Sequence, residues 1–273
     1  MINDQLRGKR VVITGASGGL GFAMARALGL NGASVLITAR NANSLDKALK
    51  DLKDNQIDAY SLEMDVRIEQ SIMNSVQWVE KHWGTLDLLI NNAGIGMRTV
   101  NPYFLIEPKP FFEVSGTGFR DLIETNLTGY FLVAKAFVPF FIKQKKGKIT
   151  NITMNHETMK RKGFIPYGPS RAGAESLSLI MAEDLKDYQI DVNMLLPGGA
   201  TETGMIPDEF KHSLPKNFKL LSPDIMAEPI VFLASDESNG ITGQRIVATQ
   251  FNDWKQNLVR TNQKPENDKF LNT

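Results

Sequence analysis

The sequence predicts an α/β fold: one doubly wound, parallel seven-stranded sheet with helices on both faces. Two observations carry that prediction. Short apolar, β-branched runs alternate along the chain with helix-length amphipathic segments, the pattern of parallel strands joined by right-handed helical crossovers. Runs such as Val11-Val12-Ile13 and Leu88-Leu89-Ile90 are moreover apolar without interruption, as expected of strands covered on both faces.

In chain order, a strand at 10–14 leads to a helix at 20–30, one at 34–38 to a helix at 45–53, and one at 59–64 to a helix at 68–83. Strands at 86–91, 148–153 and 191–196 lead to helices at 119–143, 167–188 and 225–235, and a last strand occupies 245–248. β-Branched apolar runs mark the strands, and apolar positions at helical spacing mark the helices. Two loops stand outside this rhythm: 96–118 carries Pro102, Pro108, Pro110 and Gly116, and 199–223 carries Pro207 and Pro215. Both follow carboxyl ends of strands, where an open α/β sheet holds its ligand crevice, so both are candidate substrate walls, with plain surface insertions as the alternative. No linker divides the chain. Residues 1–249 form the predicted domain, and 250–273 reads as a polar C-terminal tail, on the surface or in a subunit contact.

Composition narrows the partners. Of 273 residues, 42% are hydrophobic and 22% charged, too apolar for a disordered chain. Lys+Arg 31 against Asp+Glu 30 leaves a net charge of +1, so no global field draws in nucleic acid or an anionic membrane. The absence of cysteine excludes disulfides, thiol nucleophiles and zinc–thiolate sites, and it suits the cytoplasm. No metal site is expected. The most apolar stretch, 130–142, is interrupted by Lys135 and Pro139 and falls short of the roughly 20 residues of a membrane span. Arg7, Lys9 and Arg10 precede an apolar run, but Thr14, Gly15, Ser17 and Gly18 break it, unlike the unbroken core of a secretory signal. A cytoplasmic location is expected.

The first strand runs into Gly15-Ala16-Ser17-Gly18-Gly19-Leu20-Gly21 and then a helix. Glycines there permit a tight turn, close backbone approach to a pyrophosphate and close helix–sheet packing, while the helix N-terminus presents free N–H groups. At the first βα junction, this points to dinucleotide binding by Gly15, Ser17, Gly18, Gly19, Leu20 and Gly21.

The spacing Thr14-Gly15-x-x-x-Gly19-x-Gly21 is followed by Asn91-Asn92-Ala93-Gly94, Asn126, Tyr167-x-x-x-Arg171 and Pro197-Gly198. That series resembles the short-chain dehydrogenase/reductase family over roughly residues 7–248, with a general likeness to 3-oxoacyl reductases and sugar-acid dehydrogenases. The resemblance implies a Rossmann fold, a nicotinamide cofactor and interconversion of a small-molecule carbonyl with a secondary alcohol. It implies that Asp65 and Val66 flank the adenine, that Asn92, Ala93, Gly94, Pro197 and Gly198 line the cofactor channel, and that Thr203 touches the nicotinamide carboxamide. The segment reaching Thr203 is one residue longer than the family pattern, which makes Thr201 a rival, and Asp65 can alternatively serve as a strand-end turn former. Where an acidic residue would repel a 2′-phosphate, this chain has Ala39, followed by Arg40. A guanidinium grips phosphate with paired hydrogen bonds. NADP(H) is therefore preferred and NAD(H) is the second choice; a solvated surface arginine is the plainer alternative for Arg40.

Hydride transfer to a carbonyl leaves an alkoxide that needs a proton. A phenol can donate it, and a neighbouring cation stabilises the phenolate left behind. Tyr167 and Arg171 are four apart and share one helix face, with Pro169 tolerable in the first turn. Tyr167 is the expected general acid/base and a cofactor contact, Arg171 its cation and a ligand of the nicotinamide ribose, and Asn126 the helix asparagine that anchors a water in the family's proton relay. Asn126 can instead satisfy a backbone kink.

Two departures stand out. The family has lysine where this chain has Arg171, which cannot give up its proton. It has serine where this chain has Met154, and a thioether donates no hydrogen bond. Loss of one oxyanion donor typically costs about 10²–10³ in turnover. His156, Asn155 or Thr153 are candidate substitutes, with Thr153 weakened by strand alternation; Met154 and His156 are the expected substrate contacts. Lys160-Arg161-Lys162 is a candidate anion grip or a solvated turn. A catalytically impaired NADP(H)-binding sensor or scaffold is the alternative function, and altered acid–base chemistry through His156 or Glu157 a third. The resemblance also implies a homodimer or homotetramer packed through helices 119–143 and 167–188, where Leu177, Ile180 and Met181 can serve an interface or the core equally well.

Overall fold

The computed structural model describes residues 4–204 and 219–262. All seven expected strands form: β1 (Arg10–Thr14), β2 (Ser34–Ala39), β3 (Ala59–Glu63), β4 (Leu88–Asn91), β5 (Gly147–Ile152), β6 (Ile190–Leu196) and β7 (Arg245–Val247). They make one parallel sheet ordered β3-β2-β1-β4-β5-β6-β7. The chain winds outward from β1 to β3 and returns to the other side of β1 as β4. Strand order therefore reverses between β1 and β4, where crossovers leave to opposite faces and a crevice opens at the carboxyl ends.

The helices are α1 (Gly19–Leu30), α2 (Ala42–Asp54), α3 (Glu69–His82), α4 (Gly116–Ile123), α5 (Gly129–Gln144), α6 (His156–Met159), α7 (Tyr167–Asp184), α8 (Ala227–Ala234) and α9 (Phe251–Asn262). Alternate strand residues feed two core layers. Val11, Ile13, Val35 and Ile37 pack with Met24 and Leu28 of α1, Leu52 of α2 and Ile230 of α8. Val12, Leu36, Leu89 and Ile149 pack on the other face with Val79 of α3 and Phe137 and Phe141 of α5. Both strand faces are thus dry, which is why these strands read as unbroken apolar runs.

Two expectations need correction. First, α4, a π-helical turn at Glu124–Thr128 and α5 run on as one helix, Gly116–Gln144, of 29 residues. By length and composition it contains a window apolar enough to cross a membrane, contrary to the reading of 130–142 alone, but 50% of that window is buried inside the fold, as in a core helix. Second, the tail expected from 250 begins as α9. Phe251 is buried against Phe232, with Trp254 stacked 5.8 Å from its ring. A polar composition hid these two aromatic anchors; residues 263–273 lie outside the described residues.

Lys148 of β5 is buried, and its Nζ donates to Ser235 O at 2.7 Å and Ser238 Oγ at 2.5 Å, tying the end of α8 to the sheet. Burial pushes its pKa down to about 8, against the pull of Asp191. An unfolded lysine keeps its proton up to about 10.4, so the unfolded chain binds more protons between those values and stability rises with pH across them. Urea titrations should show wild type gaining on Lys148→Met between about pH 8 and 10. A constant gap over that range would contradict the buried titration.

Candidate active site

A cavity of about 1000 Å³ occupies the β1–β4 reversal. At one end β1 turns through Gly15 into α1. Gly15 has φ +64°, and a Cβ there would lie 2.6 Å from Ala93 Cα, so only glycine lets this turn close on the end of β4. Asn92 Nδ2 donates to the Thr14 and Gly15 carbonyls at 2.9 Å each, and Thr14 Oγ1 accepts from the Asn92 and Ala93 amides. Gly18, the N-cap of α1, offers no side chain to the first-turn amides, which leaves them open to an anion. Gly15, Ser17, Gly18, Gly19 and Leu20 line the cavity, as do Asn92, Ala93, Gly94, Pro197 and Gly198. Gly21 does not line it: a Cβ there would meet Asn92 Nδ2 at 2.5 Å, so this glycine serves helix-on-strand packing.

Arg40 is exposed at the rim and lines the cavity beside Ala39 and Asn41. Met64 and Val66 line it too, but Asp65 does not. Arg67 engages the Asp65 carboxylate through Nε to Oδ1 at 3.0 Å and Nη2 to Oδ2 at 2.6 Å. That hydrogen-bonded pair holds the Asp65 carboxyl below its usual range, with a weaker pull from Arg40. The adenine contact expected of Asp65 is corrected accordingly: an ion pair two residues along has taken the carboxylate. Of the two threonines, Thr203 Cγ2 would lie 3.3 Å from a Cβ on Gly19, against the phosphate turn. Thr201 also lines the cavity, but its hydroxyl turns back to Gly199 O at 3.3 Å.

Across the cavity, α7 opens with Tyr167 and brings Arg171 one turn below it. Arg171 is buried, yet it lines the cavity. Its guanidinium carbon sits 5.3 Å from the Tyr167 ring centroid and 5.5 Å from that of Tyr130. Nη1 donates to Tyr130 Oη at 2.7 Å and to Ile152 O at 3.0 Å, while Nε is buried with no protein partner. Burial works against this cation, but the neighbouring Tyr130 and Tyr167 phenols keep its pKa above the ordinary arginine value. Gly94 makes room: a Cβ there would stand 2.6 Å from Arg171 Nη2 and 3.0 Å from Asn126 Oδ1. Tyr130 was not among the residues expected from the sequence; 41 positions separate it from Arg171, and only its polar tip in an apolar helix hinted at a partner.

Asn126 sits in the π turn, fully buried and outside the cavity lining. Its Oδ1 accepts from Ile95 N at 2.8 Å and its Nδ2 donates to Ile95 O at 2.9 Å. The side chain is thus committed to clasping the loop after β4. That clasp fixes Gly94 beside Arg171.

A family model for short chain dehydrogenase matches residues 9–213. The chain belongs to the short-chain dehydrogenase family. It is 31% identical over 246 residues to the gluconate 5-dehydrogenase of Gluconobacter oxydans, covering 88% of this chain and 92% of that protein. It is 32% identical over 199 residues to the 5-keto-D-gluconate 5-reductase of Escherichia coli K12, covering 72% of this chain and 74% of the reductase. A solved structure from Agrobacterium tumefaciens, provisionally assigned as a gluconate dehydrogenase, superposes with a TM-score of 0.77 at 28% identity over 92% of this chain and 98% of its own. The relatives are dehydrogenases and reductases of small molecules, and the family uses nicotinamide cofactors. The free α1 amides and the orphaned Arg171 Nε of this dehydrogenase chain fit such a group, one at the pyrophosphate end and one beside Tyr167.

The substrate end has an apolar wall of Met97, Phe104 and Phe164 against which Met154 and Tyr167 pack. Met154 lines the cavity; His156 does not. The substrate contact expected of His156 is corrected: its Nε2 lies 2.9 Å from Glu175 Oε2. Thr153 Oγ1 donates to the same Glu175 at 2.7 Å, so that hydroxyl is engaged as well. Asn155 lines the cavity, and its side chain does not cap α6. Of Lys160, Arg161 and Lys162, only Arg161 lines the cavity.

Proposed function

We propose that this dehydrogenase interconverts a carbonyl and a secondary alcohol on an acidic small molecule, with NADP(H) preferred over NAD(H). One observation carries the reading: Tyr167 meets the Arg171 guanidinium in the same cavity that ends at the phosphate-binding turn. The cofactor, when bound, supplies the hydride on reduction and accepts it on oxidation. Tyr167 Oη would give its proton to the carbonyl oxygen of the substrate, and Arg171 would stabilise the phenolate left behind. Asn155 takes the substrate-oxygen contact that the thioether of Met154 cannot make. Arg161 at the rim and the gluconate-named relatives support an acidic substrate. We place the reaction in the cytoplasm and in a homodimer or homotetramer, for which exposed Phe131 and Ile142 of α5 and Leu179 and Ile180 of α7 offer apolar surface.

The test is NADPH consumption with a panel of keto acids, neutral ketones and aldehydes that includes 5-ketogluconate. Keto acids turning over faster than matched neutral ketones is the expected result. Met154 supports a second reading, an NADP(H)-binding sensor, whose signature is tight NADPH binding with no turnover on any carbonyl. Arg40→Ala should weaken NADPH by roughly 10–100-fold while leaving NADH unchanged, the worth of a charge-assisted phosphate contact. Equal weakening of both cofactors would sink the role given to Arg40.

A further inference from the structure

We propose that Tyr130 is a positioning residue for Tyr167: its phenol, anchored to the Ile152 carbonyl, holds the Arg171 guanidinium against the catalytic hydroxyl. The proposal rests on the carbonyl–alcohol reading above. Three atoms close a triangle. Tyr130 Oη donates to Ile152 O at 3.1 Å, and Arg171 Nη1 donates to both of them at 2.7 and 3.0 Å. Each acceptor belongs to a rigid element, since Tyr130 opens α5 and Ile152 ends β5. An arginine on a long flexible stem is thereby pinned at one amino group, and its planar fork fixes where the remaining N–H groups point.

The holder is also electrically suited to the task. A carboxylate at this place would neutralise the guanidinium; a phenol holds it without doing so. Tyr130 is almost fully buried, and burial raises its pKa despite the opposing pull of Arg171, which keeps it protonated. Glu175, one turn further along α7, is engaged by Thr153, His156 and Arg245. Among the described residues no carboxylate pairs with Arg171. Its positive charge therefore acts on the two phenols, and only Tyr167 opens to the cavity where a substrate proton can be exchanged.

Tyr130→Phe keeps the ring and removes the acceptor. Two readouts test it in the whole protein. Tyrosinate absorbance against pH, followed without substrate, identifies the step that vanishes in Tyr167→Phe; in Tyr130→Phe that step should move up by about one unit, a tenfold change. The pH profile of alcohol oxidation should shift in the same direction. Arg171→Met should shift the step at least as far, and Tyr130→Phe added to it should shift it no further. A step unmoved by Tyr130→Phe, a step lost in Tyr130→Phe and kept in Tyr167→Phe, or an equal further shift in the Arg171→Met background would each overturn the proposal. Should Tyr130→Phe not fold, an unmoved step in Arg171→Met alone overturns it. Failure of the carbonyl reading shows separately, as absent turnover in a wild type whose tyrosinate titration is still read.

Discussion

Tyr167→Phe should lower turnover by about 10²–10⁴-fold, the usual contribution of a positioned general acid, and leave both the unfolding midpoint and NADPH affinity close to wild type. The substitution removes only the hydroxyl. The ring still packs with Met97, Phe104, Phe164 and Met154, and the guanidinium keeps Tyr130 and Ile152 as acceptors. Loss of activity accompanied by loss of cofactor binding would mean that Tyr167 acts chiefly in holding the cofactor. Retained activity would remove it as the proton donor.

Gly15→Val should act at the opposite end of the cavity and on a different quantity. At φ +64° a β-branched side chain is strained, and its Cβ would stand 2.6 Å from Ala93 Cα and 3.0 Å from Ala93 N. Both neighbours are backbone, held by Thr14 and Asn92 in a network that cannot yield without opening the β1–β4 junction. A loss of about 2–4 kcal/mol in urea unfolding is expected, with NADPH affinity reduced by more than about 100-fold because the pyrophosphate turn itself is displaced. Near-wild-type stability with unchanged NADPH binding would show that this turn is softer than its contacts imply.

Much of this molecule was legible in its residues. Strand and helix positions followed from the apolar rhythm, with boundary differences of at most four residues, as at the helix read at 45–53 that spans Ala42–Asp54. The Gly15–Leu20 turn, Arg40, the Asn92–Gly94 segment and the Tyr167–Arg171 pair all came to one cavity. Those features are local: a glycine's conformational freedom and a spacing of four on a helix do not depend on distant partners. Asp65, Asn126 and His156 behaved otherwise. Each is polar and correctly placed near the crevice, yet Arg67, Ile95 and Glu175 respectively hold their side chains. Which of several nearby partners a carboxylate, amide or imidazole takes depends on distances the linear order does not contain.

Local chemistry written along the chain was thus enough to determine the parallel sheet, the phosphate turn and a tyrosine backed by a cation on one helix face. Only the tertiary structure decided how that cation is held. Tyr130 and Arg171 are 41 residues apart, on different helices, and meet because α5 and α7 pack beside β5 and bring the Ile152 carbonyl between them. A buried guanidinium must satisfy its N–H groups wherever it lies. The residue type announces that need, and the packing of the sheet determines which groups answer it.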